Sequence, residues 1–342
     1  MEELNSSKPD SIVLTSRIRP ARNLDKIVFP HKISDEKGRE LVNKVEDAFY
    51  NTSDFSKDYS SVHLWDTEKL IQRSYFERHL ISNSMINNSS KAAFIFNKDE
   101  TVSLMINEED HIRIQCINSG YNLDNAFENA NKIDDFLEQS LDFAFQENFG
   151  FLTACPTNLG TGLRASVMIH LPIITLNNKM EGVMYALSQV GMTIRGLYGE
   201  GSKVSGNIYQ ISNQITLGLS EEEALNNLKA VVNQIINQEN MAREVSYKNY
   251  KYEIQDRVYR ALGILKSAVL MTSSECLNFL SDVRLGQEMG IIKDIDSKIL
   301  NDLLIDIQPA TIQKQLGKNL SSKDINLARA DVVKARLLNI NK

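Results

Sequence analysis

Three cysteines in 342 residues are too few and too scattered to hold this chain together covalently. Cys116, Cys155 and Cys276 are odd in number and contain no C-x-x-C pair, which excludes a disulfide scaffold and a zinc-finger pattern. All three are expected as free thiols, with Cys116 and Cys276 as small buried apolar groups. No apolar run approaches the roughly 18 residues that span a bilayer. The polar, acidic opening MEELNSSKPD is not a signal peptide, so a cytoplasmic location is expected. Positive charge is not in excess either: the formal net charge is -6. That argues against a direct nucleic-acid or anionic-membrane binder, whose basic surface releases counterions on binding. The G-x-x-x-x-G-K-[ST] phosphate loop is absent, as are internal repeats and low-complexity tracts.

What is present is an ordinary globular composition, 42% hydrophobic and 24% charged, long enough for two domains. Up to Gly218 the pattern is short strands with helices between. SIVLTSRIR (11–19) is β-branched and extended, and residues 92–117 predict two strands joined by a polar turn at Asn97 to Glu100. Further strands are expected at 150–155, 165–171, 192–199 and 207–214, and helices at 35–50, 133–146 and 180–190. After Gly218 the pattern changes. Ser220 and Glu223 form a capping box, after which Leu225, Leu228, Val232, Ile235 and Ile236 recur at helical spacing. Another helix opens at Thr272 and Glu275, and a last one lies near 322–338. The expected class is α+β: an antiparallel sheet flanked by helices over residues 1–218, then an all-α domain over 219–342.

Charged residues stand out against this frame. Arg17 and Arg19 share one face of a strand, with Arg22 where that strand should end. In NEEDHIRIQ, regular alternation puts Glu109, His111 and Arg113 on one face, with Glu109 and Arg113 about 13 Å apart at roughly 3.3 Å per residue. His111 has no second ligand at zinc-like spacing and is expected to hydrogen-bond structurally. Cys155 opens the loop CPTNLGTG, followed by Arg164. Arg195 precedes GLYGEG, whose glycines would let Glu200 approach a ligand closely. Guanidinium groups remain charged and meet phosphate oxygens as a bidentate fork, so several of them with Mg²⁺ could neutralise a triphosphate without a phosphate loop.

SRIRPARN (16–23), NEEDHIRI (107–114), CPTNLGTGLRAS (155–166) and IRGLYGEGS (194–202), in this order, resemble the guanidino kinase superfamily, which includes arginine and creatine kinases. Because the first arginine strand begins almost at the start of the sequence, the leading helical domain of the phosphagen kinases is not expected here. About 120 residues follow the sheet region instead, as in the bacterial protein-arginine kinases (McsB type). The resemblance implies that Arg17, Arg19, Arg113, Arg164 and Arg195 hold the phosphates of ATP, with Mg²⁺ and no metal-ligating cage of side chains. It also implies that Glu109 and Glu200 hold the acceptor guanidinium, with Cys155 beside it. A protonated guanidinium is a poor nucleophile, so a carboxylate must pair with it and remove a proton; Glu109 is the chosen base, Glu200 a clamp, and Cys155 a positioner. Where small-molecule members place an adenine-packing histidine, this chain has Met168.

The resemblance further implies an ATP-dependent kinase acting on exposed arginine side chains of proteins, in protein quality control. It brings with it a Clp ATPase and protease, a zinc-containing activator protein, and a homodimer formed with help from the helical domain. A phosphoarginine pocket in that family has the pattern R-D-x-x-R-A. The corresponding KDINLA (323–328) keeps Asp324 and Ala328 but has Lys323 and Leu327 in place of both arginines, so weak or absent product feedback is expected. Two other readings are a phosphagen kinase acting on free arginine and a non-catalytic phosphoarginine or Clp adaptor. The absent leading domain speaks against the first, and the full set of acids, thiol and arginines against the second.

Overall fold

In the strand β1 (Val13–Arg22), Ser16, Ile18 and Pro20 are buried while Thr15, Arg17 and Arg19 are half-buried, the period of two that a sheet with one covered face produces. The computed structural model describes residues 12–51, 57–196 and 205–338. In it β1 belongs to an eight-stranded sheet with β2 (Tyr59–His63), β3 (Ala93–Asn97), β4 (Val102–Ile106), β5 (Ile112–Ser119), β8 (Leu163–His170), β9 (Met192–Gly196) and β10 (Ile208–Asn213), in the order β2-β3-β4-β5-β1-β8-β10-β9. A separate two-residue hairpin pairs β6 (Phe145–Gln146) with β7 (Gly150–Phe151). The pairs from β2 through β5 to β1 are antiparallel, with Ile18 opposite Cys116 and Ala21 opposite Arg113. The expected antiparallel α+β sheet is therefore present.

Helices form where the apolar period is 3.6. The helix α1 (Asp35–Tyr50) is capped by Ser34, whose hydroxyl accepts from Lys37 N at 3.4 Å. Short helices α2 (Lys69–Glu77) and α3 (Asn83–Asn87) lead into β3. The helix α4 (Leu123–Glu138) buries Leu123, Ala126, Ala130, Ile133 and Leu137. It starts ten residues before the expected 133 and stops at 138, because residues 145–146 enter the hairpin.

The other departures are local. Residues 92–117 hold three strands, not two: Asn107 adopts φ 58° and donates from its amide to the carbonyls of Gly38 at 2.8 Å and Lys91 at 2.9 Å. This ends β4 and inserts a turn before β5. The stretch expected as a strand at 150–155 is extended only at Gly150–Phe151, since Pro156 opens a 3-10 turn over Pro156–Asn158.

The chain separates into two compact units. One comprises Thr15–Ser166 with Ser212–Lys229, and the other Met1–Leu14, Val167–Ile211 and Ala230–Lys342. In the latter, α5 (Pro172–Leu176), α6 (Met180–Gln189) and the helices α7 (Glu221–Asn249), α8 (Lys251–Ser267), α9 (Ser273–Glu288), α10 (Ser297–Asp306), α11 (Pro309–Leu316) and α12 (Ser322–Leu338) supply the helical part, with the first turns of α7 in the former unit. The capping box read at Ser220 and Glu223 is formed (2.7 and 3.1 Å), and the helix start read at Thr272 and Glu275 carries one as well. Helices α8 and α9 touch so closely that a Cβ on Gly286 would lie 2.2 Å from Val258 Cγ1.

A buried ionic network ties this second unit together. Glu239, with no exposed surface, accepts from the amides of Ile173 and Ile174 at 3.1 and 3.0 Å and pairs with Arg243 at 2.8 Å. Arg243 also meets Glu288, which pairs with His170 at 3.1 Å. Burial holds the His170 imidazole below its ordinary pKa against the pull of Glu288. No helix among the described residues is long and apolar enough to cross a membrane.

Candidate active site

The register between β1 and β5 decides which side chains meet. Ala21 sits opposite Arg113, so Arg113 shares the face of β1 that carries Arg17 and Arg19. On β8, Arg164 and Ser166 alternate onto one face. Arg17 Nε donates to Ser166 Oγ and Arg164 Nε to Ser212 Oγ, each at 3.4 Å. Four guanidinium groups thus share one neighbourhood. Burial first, then repulsion from Arg113 and Arg164, pushes the pKa of Arg17 down to about 10. Arg19 is held well below its ordinary value by burial and by Arg17, Arg113 and Arg164, with only Glu108 opposing. The buried Arg19 Nε has no hydrogen-bond partner among the described residues. Confined like charges with an unsatisfied donor form a ready cradle for an anion of several negative charges.

The acids stand on the turn at 107–111. Glu108 is 4% exposed and accepts from Ser82 Oγ at 2.6 Å and from the Glu109 amide at 2.7 Å. Its Oε2 lies 2.8 Å from Arg113 Nη1. Burial opposes its ionisation, but Arg113, the two hydrogen bonds and Arg19 outweigh it and hold the Glu108 carboxyl below the usual range. Glu109 is more open, with its side chain 44% exposed and Oε2 3.3 Å from Arg113 Nη2. The alternation expected for NEEDHIRIQ therefore fails. Glu109 and Arg113 touch, rather than standing about 13 Å apart along a strand, because the turn folds the acids back over the start of β5.

Two residues that the sequence reading passed over hold this turn against the cysteine loop. Asp110 Oδ1 accepts from Asn23 Nδ2 and from the amide of Ala154, both at 2.7 Å. Asn23 Oδ1 in turn accepts from the His111 amide at 2.9 Å. His111 accepts from Leu24 N at Nδ1, 3.0 Å, and its Nε2 donates to the Val28 carbonyl at 2.9 Å. That is the structural hydrogen-bonding role read for it. The run of three acids in NEEDH, Asp110 its last, was the one available hint of the Asp110 role; for Asn23 the sequence offered none.

Cys155 follows Ala154 directly, is half-buried, and lies with Sγ 3.0 Å from Thr157 Oγ1. Cys116 and Cys276 are buried as expected, and burial pushes both thiols up to about 12. Glycines shape the loop. A Cβ on Gly160 (φ 112°) would lie 2.2 Å from the Thr216 carbonyl, and one on Gly150 (φ 71°) would lie 2.4 Å from the Gly160 carbonyl. Only glycine fits such contacts. A cleft of about 420 Å³ is lined by His31, Ser84, Asn88, Glu108, Glu109 and Ala154, so the exposed carboxylate and the backbone leading to the thiol face the same space.

Arg22 takes no part. Fully buried on the other face of β1, it binds Asp134 at 2.5 Å and the Thr161 carbonyl at 2.9 Å, and lies 3.6 Å over the Phe151 ring. Arg195 is on β9 and half-buried. Glu200 lies outside the described residues. Met168 packs with Leu14, Ile208 and Leu304, an apolar setting in place of an aromatic nitrogen ring. Among the described residues no three histidine, cysteine or acidic side chains group as metal ligands.

Comparison with known proteins gives a consistent result. The family model ATP:guanido phosphotransferase, C-terminal catalytic domain, matches residues 40–242, and the Protein-arginine kinase McsB C-terminal domain matches residues 251–342. The protein-arginine kinase of Clostridium kluyveri is 60% identical over 326 residues, covering 95% of this chain and 94% of that protein. That of Clostridium acetobutylicum is 53% identical over 335 residues, 98% of each. Among solved structures, lombricine kinase aligns with a TM-score of 0.61 at 25% identity over 72% of this chain and 70% of that one. A duplicated taurocyamine kinase from Schistosoma mansoni with bound transition state analog components aligns with a TM-score of 0.61 at 26% identity, over 72% of this chain and 35% of that one.

Proposed function

This chain belongs to the ATP:guanido phosphotransferase family, in its protein-arginine kinase branch, and on that premise we propose that it transfers the γ-phosphoryl group of ATP to arginine side chains of proteins. The observation that carries the proposal is the crowding of Arg17, Arg19, Arg113 and Arg164 against one buried acid, Glu108. Such a cluster costs folding energy that a polyphosphate would offset. Arg195 is assigned to the same phosphates. Mg²⁺ would be carried by the phosphate oxygens themselves, and when bound would neutralise charge on the β- and γ-phosphates.

Acceptor chemistry falls to the cleft that holds Glu109. Its exposed carboxylate, steadied by Arg113, pairs with the incoming guanidinium and takes a proton from the attacking nitrogen as the bond to phosphorus forms. Glu200 is assigned as a second clamp and Cys155 as the sulfur that fixes the orientation of the group for in-line attack. The thiol does not itself attack. Glu108, buried and triply held, keeps Arg113 in place and so sets the position of Glu109.

The McsB-type match supports giving residues 219–342 to protein recognition and 1–218 to catalysis. A cytoplasmic site of action, a homodimer, a zinc-containing activator, delivery of marked proteins to a Clp protease and the weak feedback expected from Lys323 and Leu327 rest on the resemblance alone. Initial rates of ADP release with Mg-ATP and either casein or free arginine test the proposal. Turnover on casein alone supports it, whereas turnover on free arginine alone would reassign the enzyme to small guanidines.

A further inference from the structure

A second cleft, of about 470 Å³, lies on the far flank of the cysteine loop, between the β6–β7 hairpin and the start of α7. Its apolar lining is open to solvent: Phe145 is 59%, Phe149 46% and Leu217 49% exposed. Among the described residues, the ionisable groups of the lining are Glu147 and Glu221. Arg22 beneath is already matched by Asp134 at 2.5 Å and lies 3.5 Å from Glu221. Burial, with Glu138 and Asp135 nearby, pushes the Asp134 carboxyl up against the pull of Arg22, and burial, Asp134 and Asp135 do the same to Glu221. The surroundings thus hold surplus negative charge around an aromatic surface, a pairing that suits an apolar side chain next to a cation.

The cleft is also continuous with the loop that carries Cys155. Thr216 Oγ1 donates to the carbonyls of Thr157 at 3.0 Å and Leu159 at 2.7 Å, and Phe151 N donates to Gly160 O at 2.8 Å. Cys155 stands at the head of the Pro156–Asn158 turn, two residues from Thr157, so the loop that carries the thiol also forms the near rim of the cleft.

We propose that this cleft is a second contact site for the protein substrate, taking an apolar side chain with an adjacent lysine or arginine from the segment that flanks the arginine to be phosphorylated. The inference rests on the protein-kinase reading and adds to it: the acceptor arginine is selected partly by its neighbours in an extended or unfolded segment. A folded surface arginine lacking such a neighbour is a poorer substrate. Free arginine gains nothing from the cleft.

Phe149→Ala and Glu147→Lys, both at exposed positions of the full chain, test this in casein kinetics at saturating Mg-ATP. Each is expected to raise KM for casein about tenfold, the usual size of one interface anchor, with kcat and KM for ATP unchanged. Anisotropy of labelled peptides with Phe-Lys placed at stepped distances from an arginine reads binding without catalysis, and Phe149→Ala should weaken the tightest of them about tenfold. An unchanged casein KM in both variants, with the wild type active, overturns the cleft and leaves the kinase reading standing. If the wild type transfers no phosphate but binds the peptides through Phe149, the kinase reading falls and the binding site remains. A change of oligomeric state in Phe149→Ala, read by sedimentation, would assign the surface to self-association and overturn the inference.

Discussion

Arg113 grips two consecutive acids at once, with Nη1 2.8 Å from Glu108 Oε2 and Nη2 3.3 Å from Glu109 Oε2. The two carboxylates differ in setting: Glu108 is buried among donors, and Glu109 opens onto the cleft proposed for the acceptor. One guanidinium thus links the arginine cluster proposed to hold the phosphates to the proposed base. On the proposed assignment, that link would set the acceptor close against the phosphates.

Glu109→Gln keeps shape and hydrogen bonding but cannot accept the proton. Steady-state assays with casein should show kcat lower by roughly a hundred- to ten-thousand-fold, the range of general-base contributions. ATP affinity by equilibrium titration should change little. Near-normal turnover would remove Glu109 from its role.

Arg19→Met removes a charge that burial and three neighbouring arginines disfavour. Without nucleotide the variant should melt higher than the wild type. ATP should bind roughly ten- to a hundredfold more weakly, as expected for loss of one charge-assisted contact of about 1.5–3 kcal/mol. Calorimetry reads both. Lower stability together with unchanged ATP binding would mean that Arg19 is structural.

Glu108 carries a pH dependence whose sign follows from its lowered folded pKa. Its contribution to stability is fully present above the unfolded carboxylate value near 4.5. It fades as pH falls through the lower folded value. Denaturant midpoints between about pH 5 and pH 3 should therefore drop more steeply in the wild type than in Glu108→Gln. Parallel curves would contradict the assignment.

Cys155 is the one of the three thiols with accessible surface. Native protein treated with iodoacetamide should take one label, at Cys155, located by peptide mapping, and casein phosphorylation should fall as labelling proceeds. Prompt labelling of Cys116 or Cys276 would contradict their burial.

Glu239→Ala should cost about 3–5 kcal/mol, because it leaves Arg243 buried with one partner fewer and frees the amides of Ile173 and Ile174. Chemical denaturation measures it. A loss under 1 kcal/mol would mean that the network relaxes around the gap.

Sequence periodicity located the sheet class, α1, the capped starts of α7 and α9, and α12, since each depends on local spacing or caps. It failed at the turn over 107–111, where the left-handed Asn107 is held by carbonyls of Gly38 and Lys91, distant in sequence. The face shared by Arg17 and Arg19 was legible from alternation, while the seating of Arg113 and Glu109 against each other required that turn. Asn23 and Asp110 work through contacts 87 residues apart, and no local pattern encodes them. Arg22 resembles its neighbours in sequence, yet Asp134 and the Phe151 ring claim it.

Mass spectrometry under conditions that preserve phosphoramidates, on casein incubated with Mg-ATP and either the wild type or Glu109→Gln, tests the central claim most directly. The expected result is phosphate on arginine nitrogen with the wild type and none above background with the variant. Phosphate only on serine, threonine or tyrosine, or equal arginine phosphorylation by both proteins, would contradict it.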